Sequence, residues 1–217
     1  MQDPEIMPEK ITALLEANGA SDITVGGYEA MTGGYSRLMA QFEATFTIDG
    51  TSESGTYVLR GDPPEGTAII DTDRTQEFEV LQAVKPHLST PAARFLDSDG
   101  THIGTPALVL DFTTAESTLP WIEQNGVSSL PEKLAELAGA VHTIPVDDLP
   151  SSLQRPASGD PLTDQIAMWK HTAHEHVEAL PIFHYVASWL DTHRPPSVPV
   201  SLVHHDFSTA NMLVDDQ

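Results

Sequence analysis

An α+β fold in two lobes is predicted by three observations. Strand-like segments joined by Gly-containing turns fill the first half of the chain. One helical pattern is embedded among them, and helical patterns follow from residue 113 onward. The predicted divide gives an N-terminal lobe with an antiparallel sheet over 1–112 and a partial helical C-terminal lobe over 113–217.

The elements follow in order. Residues 8–17 open with Pro, place Ile11, Leu14 and Leu15 on one face and precede Gly19, which predicts a short helix. Residues 23–31 alternate weakly as a strand. After the Gly turn 32–36, residues 38–48 form a second strand with Phe42, Ala44 and Phe46 on one face. Asp49 and Gly50 open a hairpin turn toward a third strand at 56–60. A Pro/Gly loop at 61–71 leads to helical spacing over 72–84, through Phe78, Leu81 and Val84. Two strands, 93–96 and 107–112, surround a turn at 97–100. Residues 130–144 then carry Leu134, Leu137, Ala138 and Val141 at helical spacing. A connector at 145–161 precedes helices at 163–180 and 182–193, parted by Pro181.

Composition narrows the function. The chain has 217 residues, enough to bury a core as one domain or two. It contains no cysteine, which excludes disulfides and thiolate metal sites and fits the cytoplasm. No run of eighteen apolar residues predicts a membrane span. The formal net charge is -22, and such a chain repels nucleic acid. Two readings of that acidity stand: a surface adapted to high salt, and a negative cleft for a cationic substrate.

The densest chemistry lies at 201–217. Leu202 and Val203, read as a short strand, run into His204-His205-Asp206, and Asn211 and a strand at 212–214 follow. The spacing H-x-D-x4-N is that of a kinase-type catalytic loop. Asp206 would then orient a substrate hydroxyl and accept its proton, and Asn211 would hold magnesium. His204 is expected to brace the loop. Arg60 ends an apolar strand, where its guanidinium suits the α- and β-phosphates of a nucleotide. Glu77, seventeen residues on, is its expected ion-pair partner, favoured over Glu79 on the opposite side of the helix. Gly33 and Gly34 allow backbone amides to approach phosphate oxygens. His171, His174 and His176 do not converge on one helix face, so a solvated helix is read there and not a zinc site.

Together these segments resemble the aminoglycoside phosphotransferase and choline kinase-like family, small-molecule kinases with a protein-kinase-like fold. The resemblance rests on TGGYSR at 32–37, TYVLRGDPP at 56–64, QEFEVLQAV at 76–84, ALVLDFTTA at 107–115, LAELAGAVHTI at 134–144 and LVHHDFSTANMLVD at 202–215. In detail it is similar to the branch found beside acyl-CoA dehydrogenases. The resemblance implies ATP and Mg2+, with γ-phosphoryl transfer to a hydroxyl of a small molecule. It implies that Ser36 and nearby amides cover the phosphates, and that the backbone of Asp111, Phe112 and Thr113 meets adenine.

The chain also departs from the family. His205 stands where Gly is usual, and the hinge lacks its usual Gly. The second metal-binding Asp and the helices of the acceptor pocket lie beyond the family segments found here. The expectation is therefore a C-terminally truncated product or fragment, inactive by itself. A non-catalytic nucleotide-binding pseudokinase and an acidic interaction domain are the alternatives.

Overall fold

The computed structural model describes residues 3–31, 38–62, 73–128, 130–153, 155–175, 181–196 and 198–214. Its first part is built on three long strands, β1 (Ser21–Ala30), β2 (Leu38–Ile48) and β3 (Thr51–Gly61). Two shorter strands, β4 (Ala93–Asp97) and β5 (Ala107–Asp111), complete a five-stranded sheet. Its order is β1-β2-β3-β5-β4, and every pairing is antiparallel.

Alternation decides which face each strand buries. Ala40, Phe42, Ala44 and Phe46 of β2 are buried, and Tyr57 and Leu59 of β3 join them. Helix α1 (Met7–Ala17) covers this face with Met7, Ile11, Leu14 and Leu15. Burying each such side chain contributes about 1.5–3 kcal/mol before entropy is subtracted. The other face carries Val58, Leu108 and Leu110, covered by Phe78 and Leu81 of α2 (Arg74–Val84). Asp73 starts α2 by accepting a bond from the Gln76 amide at 3.0 Å. Two helices thus flank the sheet.

The later part is helical: α3 (Thr118–Asn125), α4 (Leu130–His142), α5 (Pro161–Glu175) and α6 (Ile182–Thr192). Val84 of α2 meets Ile144, Leu149 and Leu202 in a small cluster, so the end of α2 anchors the helical part. The class is α+β with a protein-kinase-like arrangement. Among the described residues no helix is long and apolar enough to cross a membrane.

The structure corrects several expectations. β3 begins at Thr51, not at residue 56, because Ser52 to Gly55 extend the hairpin through backbone pairing without apolar side chains. Leu202 and Val203 form no strand. The strand after the catalytic loop, β7 (Leu213–Val214), pairs instead with β6 (Glu116–Ser117). That pairing and the α3 helix were not foreseen, since two-residue strands carry no periodicity. In α5, Ile166 and Ala173 are buried, whereas Trp169, at helical spacing from both, is 56% exposed.

Candidate active site

Arg60 sits one residue before the end of β3, in register with Met39 of β2 and Leu108 of β5. Its backbone is therefore fixed from both sides, and its side chain projects from a central strand. Next to it, Gly61 is closely packed: a Cβ there would lie 2.7 Å from the Leu38 Cδ2 atom and displace that side chain. The Arg60 Nη1 atom is 2.9 Å from Glu77 Oε1. Glu79, the alternative partner, lies on another side of α2 and accepts a bond from the Ser152 hydroxyl.

The second oxygen of Glu77 is also engaged. Arg74, in the first turn of α2, donates to Glu77 Oε2. Arg74 further donates to Asp62 Oδ1 at 2.7 Å and to the Gly61 carbonyl at 3.2 Å. Its side chain is fully buried. Sequence reasoning missed this residue. The available signal was its i,i+3 spacing from Glu77 directly after the helix cap.

The loop after residue 203 is shaped by its own backbone. The Asp206 amide donates to the His204 carbonyl at 2.8 Å, and the Ser208 amide donates to the Asp206 carbonyl at 3.0 Å. A 3-10 turn, Thr209–Asn211, then returns the chain toward β7. Asn211 Nδ2 donates to the Asp206 carboxylate at 2.7 Å and to the Asp206 carbonyl at 3.0 Å. The donor end of the Asn211 amide therefore faces Asp206. Its oxygen end, the end able to ligate a cation, lies on the opposite side of the amide. The His204 backbone carbonyl takes the Asp206 amide, while the His204 ring meets Phe207 edge-on at 6.1 Å. His205 has φ +64°, the left-handed region that favours glycine.

The hinge and the loop share one cleft of about 410 Å³. Asp111, Phe112 and Thr113 line it from one side, and Phe207, Asn211 and Leu213 from another. The amides of Asp111 and Phe112 are held by the carbonyls of Ala92 and Thr56 at 2.9 and 3.2 Å. Arg60 and Glu77 do not line this cleft. Gly33, Gly34 and Ser36 lie outside the described residues. The loop is held against the hinge segment by the β6–β7 pairing and by Thr118, whose hydroxyl donates to the Met212 carbonyl at 2.9 Å.

The histidines of α5 behave as a solvated face. His171 lies 3.5 Å from Glu175 one turn on, and His174 meets His184 edge-on. His176 lies outside the described residues. Among the described residues no group of three or more His, Cys, Asp or Glu converges on a metal position.

An antiparallel sheet bearing an Arg–Glu pair, joined through a hinge to an H-x-D-x4-N loop, defines a protein of the kinase-like phosphotransferase class. The phosphotransferase enzyme family, APH, matches residues 36–217, and the chain belongs to it. Its fold is similar to that of a "putative aminoglycoside phosphotransferase" from Ralstonia eutropha JMP134, with a TM-score of 0.65 and 18% sequence identity. That similarity covers 95% of this chain and 60% of the other, so this chain spans well under two thirds of its length. At this identity the likeness shows the shared fold. No curated protein matches the chain.

Proposed function

We propose that the chain carries the nucleotide-binding and catalytic-loop portion of an ATP-dependent phosphotransferase acting in the cytoplasm. In this reading the γ-phosphoryl group passes to a hydroxyl of a small molecule. Residues 1–112 serve as the nucleotide lobe and 113–217 as part of the helical lobe. The observation that carries the proposal is the folded loop itself: Asn211, which lines the cleft together with the 111–113 segment, donates to the Asp206 carboxylate at 2.7 Å.

Each residue then has a task. Asp206 orients the acceptor hydroxyl and takes its proton on a carboxylate oxygen. Asn211 Oδ1 would hold magnesium. The oxygen donors here fit that ion, which is commonly bound by one or two protein oxygens plus phosphates. Bound magnesium supplies neutralisation of the charge developing on the phosphoryl oxygens. Arg60 donates to the α/β-phosphates, oriented by Glu77. Gly33, Gly34 and Ser36 offer amides and a hydroxyl to the phosphates, and backbone groups of Asp111 to Thr113 meet adenine. Positioning does most of the work, because phosphoryl transfer needs little covalent help.

Isothermal titration with ATP and magnesium tests this reading. Saturable binding that weakens in Arg60→Ala supports it, and no binding by the folded chain overturns it.

A further inference from the structure

We propose that Arg74 is a positioning residue for the Arg60–Glu77 pair, an inference that rests on the phosphate-contacting role given to Arg60. A fully buried guanidinium is costly unless its donors are met by carboxylates or carbonyls. Arg74 meets this demand with three partners: Asp62 through Nε, Glu77 through Nη1 and the Gly61 carbonyl through Nη2. Two of these partners, Gly61 and Asp62, follow Arg60 directly along the chain. The third is the carboxylate that pairs with Arg60 at 2.9 Å. Arg74 therefore fixes both sides of the pair: the strand end from which Arg60 projects, and the rotamer of Glu77.

The arrangement also divides charge. Glu77 gives Oε1 to Arg60 and Oε2 to Arg74, so one carboxylate serves two guanidiniums. Loss of Arg74 would free Oε2 and let the Glu77 carboxylate turn, which changes the direction in which Arg60 is held. The planar fork of Arg suits three acceptors in different directions, whereas Lys offers a point charge. Arg74→Lys should thus keep the charge and lose part of the alignment.

The experiment compares the 217-residue chain with Arg74→Met, Arg74→Lys, Arg60→Ala and the Arg60→Ala/Arg74→Met double variant. Mg-ATP affinity is read by calorimetry, and order at position 60 by the NMR signal of the Arg60 Nε–H group. Folded Arg74→Met is expected to bind ATP about tenfold more weakly, the size of one lost charge-assisted bond. Its Arg60 signal should exchange faster with water, and Arg74→Lys should fall between. In the Arg60→Ala background Arg74→Met should add little further loss, because both act through one contact. Unchanged affinity with an unchanged Arg60 signal overturns the proposal, and so do independent losses that multiply. If the parent chain binds no ATP, the nucleotide reading falls, and the Arg60 signal alone decides whether Arg74 positions it. If Arg74→Met does not fold, Asp62→Asn removes one anchor of Arg74 at constant shape. It must then loosen the Arg60 signal or the proposal fails.

Discussion

His205 shows how a single residue stores strain beside the proposed base, Asp206. With φ at +64° it occupies a conformation that costs a non-glycine residue about 1–2 kcal/mol. His205→Gly is expected to release part of this strain and raise the thermal midpoint, read by calorimetric scanning. A lowered midpoint would mean that the ring makes contacts worth more than the strain. Three further substitutions separate the proposed roles, and are best assayed in a protein that spans the family's full length. Asp206→Asn should lower kcat by about 10² or more with little change in ATP affinity. Arg60→Ala should instead weaken ATP binding by roughly 1.5–3 kcal/mol. Asn211→Ala should be partly rescued by raised magnesium, because it removes a metal ligand. Near-full kcat in Asp206→Asn would remove that residue from the mechanism. That Arg60 would pair with Glu77, and that Asp206 and Asn211 would share one loop, was legible in the sequence because spacing marks them. Arg74 was not, because an Arg in the first turn of a helix is usually surface charge. Its burial depends on where Asp62 and Gly61 arrive from β3.

At the scale of elements, the α5–α6 hairpin is fastened by charge. Asp191 accepts bonds from Lys170 and Arg194, and Arg194 also donates to Thr163 at 2.6 Å. The hydrogen bond from Lys170, and then that from Arg194, hold the Asp191 carboxyl below its ordinary 3.8. A carboxyl depressed in the folded state stabilises fully above its unfolded value and loses that contribution as pH falls through the folded value. The window is therefore the acid side, below 3.8. Asp191→Asn should make hairpin stability less pH-dependent there, read by circular dichroism during acid titration. An identical acid limb in the variant would show the ion pairs to be idle. The group is exposed, so the effect is expected to be small and sensitive to salt. The long strands and amphipathic helices of the chain were readable from their periods. The strand at 212–214 was also read, as β7, but β6 and its pairing with β7 were not: a two-residue strand is specified by a partner distant in sequence.

For the whole molecule, charge is the dominant fact. A net charge of -22 repels itself across the surface, and salt screens that repulsion. The Debye length falls from about 30 to 3 Å between about 0.01 and 1 M salt, so the thermal midpoint should climb over that range. A flat or falling midpoint in KCl would count against adaptation to high salt. The overall class was legible because hairpin signals cluster before residue 113 and helical periods after it. How the halves meet was not, since the Val84, Ile144, Leu149 and Leu202 cluster joins three distant segments that no local pattern links.

The β6–β7 pairing has a consequence in time. Thr118 and Met212 meet across a sequence separation of 94 residues. The last strand of the large sheet ends at Asp111, about 100 residues before Leu213 is made. At roughly 5–20 residues per second of synthesis, the sheet stands complete for about 5–20 seconds before the H-x-D-x4-N loop exists. Every contact that holds α1 and α2 to the sheet is encoded before that interval begins. The loop is fastened last, by a ladder of two residue pairs and one Thr118 hydroxyl. Amides at Thr118 and Leu213 should therefore exchange with deuterium far sooner than those of β2 and β3, and the reactive loop should unlatch without the sheet unfolding.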